Sequence, residues 1–186
     1  MNNWRPCLRR KCWSVVAGLL LLGGCLGVPE GVEPVQSFEL DRYLGRWYEI
    51  ARLDHSFERG LSEVTAEYSR REDGAVRVLN RGYRAEDAEW SAIEGVARFV
   101  GEDSVAHLKV SFFGPFYGSY IVFELGAERY DYAFVSGFNQ DYLWLLARTP
   151  QVPEALRQSF IEQANSLGFD TRELIWVEQS GRAEAN

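Results

Sequence analysis

Eight short segments of strand character with no helix between them predict an all-β fold, either a sandwich or an up-and-down antiparallel barrel. Turn residues recur between the apolar segments, as at Asp73-Gly74 between the second and third. Where the pattern is clearest it alternates, with Leu108, Val110 and Phe112 on one face and Lys109 and Ser111 on the other. Only beyond residue 150 does the apolar period become that of a helix.

The chain starts with a segment that stands outside this pattern. Arg5, Arg9, Arg10 and Lys11 precede an apolar run from Trp13 to Leu22, and Gly23-Gly24-Cys25 follows, which is the order of an export signal. The run is too short to remain as a bilayer-spanning helix. Small residues directly before Cys25 resemble the lipobox of bacterial lipoproteins. That resemblance implies a signal peptide over 1–24, cleaved before Cys25, whose thiol takes diacylglycerol while its amine takes a fatty acyl chain such as palmitate. The alternative is a secreted protein with Cys25 unmodified. A single myristoyl chain binds membranes with an association constant of only about 10⁴ M⁻¹, so three chains on one residue amount to permanent anchoring. Leu26 stands where an aspartate would signal retention in the inner membrane. The expected address is therefore the outer membrane, with the domain facing the periplasm.

Cysteine usage excludes an internal disulfide, because Cys7 and Cys12 fall in the leader and Cys25 is committed to lipid. An exported chain of this kind is held together by its core, and the 162 residues left after removal of the leader suffice for one domain. Removing four leader cations takes the formal net charge from −7 to −11. A surface this acidic repels nucleic acid and anionic headgroups, so no nucleic-acid partner is expected.

Residues 25–37, with Pro29 and Pro34 among glycine and glutamate, read as a flexible tether to a domain over 38–180. Strands are expected near 46–53, 62–70, 75–83, 90–100, 105–113, 118–125, 130–137 and 142–148. Pro153-Glu154 then opens a helix with an apolar stripe at Leu156, Phe160, Ile161, Ala164 and Leu167, ended by Gly168. A short extra strand at 174–177 and a disordered tail at 181–186 complete the chain.

Within the first strand, Gly45 sits two places before Trp47, where a regular strand has no need of a glycine. Closure of eight up-and-down strands into a barrel brings the start of the first beside the end of the last. Trp47 and Arg148 should then meet, the guanidinium over the indole, with Gly45 allowing the backbone close enough to seal that end.

Gly45-Arg46-Trp47 resembles the Gly-X-Trp signature of lipocalins, Tyr130-Asp131-Tyr132 their second motif at the turn into the seventh strand, and Arg148 the arginine of the third. Tyr130 stands where the family usually has threonine. The likeness covers about residues 38–180 and is strongest to the bacterial outer-membrane members, then to apolipoprotein D, whose disulfides this chain cannot form. It implies an eight-stranded antiparallel up-and-down β-barrel with the C-terminal α-helix packed outside and one short extra strand. A barrel of this size has room for side chains or one small ligand.

Alternation points Val64, Ala66, Tyr68, Val76, Val78, Asn80, Phe112, Tyr120, Trp144 and Leu146 inward. Similarity to the pocket of apolipoprotein D singles out Asn80, Phe112, Tyr120, Trp144 and Leu146, with Tyr68 and Val78 beside them. The loops at 54–61, 84–89, 113–117 and 138–141 should form the mouth, rimmed by Phe57, Phe113, Phe116 and Phe138. Such a pocket suits a long apolar ligand with a small polar end, either a lysophospholipid or a fatty acid, and Arg52, His55, Arg59 and Arg84 lie near enough to meet its phosphate or carboxylate. A barrel filled by its own side chains and a haem or pigment carrier remain as alternatives. The resemblance also implies pairing into a homodimer through surface aromatics.

Two histidines, His55 and His107, and no free thiol cannot assemble a zinc set or a Cys/His pair, so neither metal nor cofactor is expected. No nucleophile elbow or phosphate-cradling loop occurs. The one carboxylate placed inward by alternation is Glu49, either a general acid or, more simply, an internal hydrogen-bond partner. A non-enzymatic binding protein is the reading that follows.

Overall fold

The computed structural model describes residues 26–126 and 128–182. The leader, Cys25 and residues 183–186 lie outside the described residues. A helical turn, α1 (Leu40–Tyr43), leads into eight strands: β1 (Gly45–Arg52), β2 (Leu61–Arg70), β3 (Val76–Arg84), β4 (Glu89–Phe99), β5 (His107–Ser111), β6 (Gly118–Leu125), β7 (Tyr132–Ser136) and β8 (Leu143–Ala147). Helix α2 (Glu154–Ser166) and a two-residue strand β9 (Ile175–Trp176) follow.

Each strand pairs antiparallel with the next, and β1 pairs with both β2 and β8, so the sheet closes on itself. Closure leaves no free edge among these eight except where the β1–β2 ladder stops at Tyr48. At the closing seam Tyr48 faces Ala147, and the Arg148 guanidinium lies 3.9 Å from the Trp47 ring. Gly45 has φ of +91°, and the place of its missing Cβ is 3.6 Å from Arg148 Nη1. The glycine supplies both a left-handed turn into β1 and room for the arginine beside it.

Two apolar layers follow from the strand alternation. Trp47, Tyr68, Val76, Val78, Leu108, Val122 and Leu146 belong to the layer inside the barrel, and Val76 lies in it below the cavity. Ile50, Phe123, Phe134 and Leu145 belong to the layer outside, which α2 covers with Phe160 and Ala164. The Phe134 and Phe160 rings pack edge-to-face at 4.9 Å. Gly168, with φ of +84°, ends the helix as the sequence suggested.

The N-terminal segment differs from the expected free tether. Gly27 O accepts from Ser119 Oγ at 2.8 Å, Val32 is buried in the outer layer, Val35 bonds to both Ala106 and Val122, and Phe38 N–H reaches Ser104 O. It is a strap down the outside of the barrel, because Val32 joins the outer apolar layer, Gly31 packs against Leu167 at the end of α2 and Val35 bonds to β6, contacts that no sequence pattern marks. α1 then crosses the closed end, where Tyr130 OH accepts from Glu39 N–H at 3.0 Å. Tyrosine in place of threonine thus ties the strap to the floor.

The expected tail is also packed in part. Above Tyr48 the β1–β2 ladder opens, and residues 177–182 close the gap. Val177 N–H bonds Ile50 O, Gln179 Nε2 bonds Glu49 O and Val64 O, and the Glu63 carboxylate accepts from Ser180 N–H, Ser180 Oγ and Gly181 N–H. Burial would raise the Glu63 pKa, but those hydrogen bonds outweigh it and hold the group below its usual range. Its contribution to stability is therefore present above the unfolded value of about 4.3 and is lost as pH falls through the lower folded-state value. Glu63→Gln should cost about 1–2 kcal/mol at neutral pH in urea unfolding, and the difference from the parent should shrink in acid.

Candidate functional site

The barrel encloses a cavity of about 550 Å³ that opens at the end opposite Trp47 and Arg148. A barrel filled by its own side chains is therefore not what the strands build. All seven residues singled out for ligand contact line it: Tyr68, Val78, Asn80, Phe112, Tyr120, Trp144 and Leu146. Val64 and Ala66 do so as well. Phe112 owes its position to Gly95, since a Cβ there would lie 2.7 Å from its ring. Here a strand glycine marks the path of an aromatic across the sheet.

The floor of the cavity is hydroxylic. Tyr120 OH lies 2.6 Å from Tyr43 OH and 2.9 Å from Tyr68 OH. Burial pushes all three phenols above their ordinary pKa, so they stay protonated. Tyr43 comes from α1, an element without a strand period, and was not among the expected cavity residues. Higher on the wall, the Asn80 side-chain oxygen is buried without a hydrogen bond to the protein.

The expected mouth cations separate into two groups. Arg52 is not available to a ligand, because it is 1 % exposed and donates to Glu49 Oε1 at 2.6 Å and to the carbonyls of Glu58 and Leu61. The cause is a register shift between Glu49 and Ala51 in β1, which puts two residues three apart on one side. His55 is also buried, stacked on Phe57 at 3.9 Å, with Nε2 3.0 Å from Glu58 Oε2. Arg59 pairs in the open with Asp54. Arg84 alone of the four lines the cavity, near Asp87.

Glu49 is the internal partner of Arg52 rather than a solitary acid. Burial raises its pKa, with neighbouring Glu58 adding to the effect against the pull of Arg52. Glu58 was not foreseen. Burial works to raise its pKa too, but hydrogen bonding to His55 and to Trp144 Nε1, 3.1 Å away, brings the group below its usual range. It could have been suspected from His55-Ser56-Phe57-Glu58, an acid three residues from a histidine in a loop beside Arg52. Among the described residues no three histidine, cysteine or acidic side chains come together as a metal site.

The rim is aromatic, with Phe57, Phe113, Phe116 and Phe138 bordering the opening. The sequence profile of the lipocalin-like domain matches residues 38–179. The chain is a lipocalin. It is 62% identical to Outer membrane lipoprotein Blc of Vibrio cholerae, over 86% of this chain and 94% of that one. It is 33% identical to apolipoprotein D of Macaca fascicularis, over 89% and 95% respectively. Insecticyanin from the tobacco hornworm, Manduca sexta, shares the fold with a TM-score of 0.64 at 19% identity, covering 82% of this lipocalin and 86% of the insecticyanin chain. The position of Arg148 under Trp47, and of Asp131, whose carbonyl accepts from Arg148 N–H at 2.9 Å, accounts for the three motifs as one closing device of the barrel floor.

Proposed function

We propose that this lipocalin is held at the outer membrane by acyl chains on Cys25 and binds lysophospholipids or fatty acids in its barrel, on the periplasmic side. The cavity carries this reading: aliphatic and aromatic walls for a chain, hydrogen-bonding groups at Tyr120 and Asn80, and Arg84 where an anionic head would rest. The relatives named outer membrane lipoproteins support the address.

Each buried CH₂ contributes about 0.8 kcal/mol relative to water, yet a neighbouring bilayer offers the same. Retention in the barrel thus favours amphiphiles that sit poorly among bilayer lipids, and head recognition adds selectivity. Tyr68, Val78, Phe112, Trp144 and Leu146 would hold the chain, with Asn80 and Tyr120 meeting polar atoms.

The test is organic extraction and mass spectrometry of the acylated protein purified in mild detergent. The expected result is single-chain lipid recovered in near-stoichiometric amount. Recovery of nothing, together with no displacement of a fluorescent fatty acid by added lysophospholipid or fatty acid, would sink the proposal.

A further inference from the structure

The path of the N-terminal strap bears on how the barrel sits against a membrane. Gly27, its beginning, is at the open end: its carbonyl accepts from Ser119 Oγ at 2.8 Å, and its Cα hydrogens face the Phe138 carbonyl, 3.3 Å from where a Cβ would stand. The strap descends from there to Phe38 at the closed end. Cys25 lies two residues before Gly27, so even a fully extended chain takes it only about 7 Å further. Acyl chains on that residue would enter the bilayer beside the mouth.

The same end carries the most exposed aromatic side chains of the described residues. Phe116 is 73% exposed, Phe113 70% and Phe57 52%. The loop that bears the first two, Phe112 to Tyr117, contains no charged residue. Aromatic rings exposed to water in a segment without charge are suited to the interfacial layer of a bilayer. The strongly acidic remainder of the surface is not.

We propose that the open end of the barrel rests face-down on the bilayer, with Phe113 and Phe116 inserted among the headgroups and the strap fixing that orientation. The proposal rests on acylation of Cys25. It makes the cavity continuous with the membrane, so that a single-chain lipid enters without crossing water. A long free tether would have left the domain to tumble, and packing of residues 27–38 removes that freedom.

A polarity-sensitive fluorophore tests this in the acylated full chain. It is attached through Gly114→Cys, where a side chain meets no neighbour, or through Glu72→Cys at the closed end. The protein is reconstituted in phosphatidylethanolamine and phosphatidylglycerol vesicles after intact mass has confirmed the acyl groups. The expected result is a blue shift at position 114, quenched by nitroxide-bearing lipid, with position 72 unchanged. Adding Phe113→Ser and Phe116→Ser should abolish the response at 114 while the protein still floats with the vesicles. A label at 114 that stays in water on vesicle-bound protein, or that shifts equally without lipid through contact with a second copy, would overturn the docking surface. Absence of acyl groups in the intact mass would overturn the anchor and the orientation with it.

Discussion

Trp144→Ala is expected to weaken lysophospholipid or fatty acid binding at least about tenfold, or about 1.4 kcal/mol. Trp144 does two things at the cavity wall. Its ring extends the aromatic surface that includes Tyr142 at 6.2 Å and His55 at 5.1 Å. Its Nε1–H also donates to the buried carboxylate of Glu58. Truncation removes apolar contact with the ligand chain and leaves a buried acid short of a hydrogen bond, turning that wall polar. Trp144→Phe keeps most of the contact and loses only the donor, so its affinity should fall between the two. Displacement of a fluorescent fatty acid measures all three proteins on one scale, and equal affinity in the alanine variant would place the ligand elsewhere.

Arg148→Ala is expected to lower stability by about 3 kcal/mol in urea unfolding. Arg148 covers the Trp47 ring and donates to Tyr130 O at 3.2 Å, Arg46 O at 2.8 Å, Arg42 O at 2.8 Å and Tyr43 O at 3.1 Å. The planar guanidinium thus ties α1, β1 and the β6–β7 turn together under a fully buried tryptophan. Water can reach some of these carbonyls once the side chain is gone, so the loss is less than the sum of its hydrogen bonds. Arg148→Lys should recover only a small part, because an ammonium on a flexible stem cannot reach several carbonyls and lie flat on the indole together. A change below about 1 kcal/mol would mean that the floor closes without it.

Strand positions were legible because burial on one side leaves a period of two that survives in the sequence, as at Leu108 to Phe112. The closing contact of Trp47 with Arg148 was legible for a different reason: once eight strands close, chain direction alone brings their ends together. Cavity-lining residues inherit the same logic, which is why Asn80, Tyr120 and Trp144 face inward as expected. The arginine at position 52 was misplaced because a bulge in β1 breaks that alternation, and a bulge is set by how two strands meet rather than by either one. Glu58 and Tyr43 stand in a loop and a single helical turn, segments without a period to read.

Local sequence determined which segments are strands, which face of each is apolar, and where the helix begins and ends; strand number and direction added that Gly45, Trp47 and Arg148 belong to one joint. Only the tertiary structure decided that the strap and residues 177–182 pack against the barrel, that Arg52 is consumed by Glu49, and that the strap starts at the mouth. The physical reason is range. Alternation and turn chemistry act between neighbours in sequence, whereas a seat for the strap beside β6 and the end of α2, or a carboxylate placed to accept from Ser180, exists only after distant strands have come together.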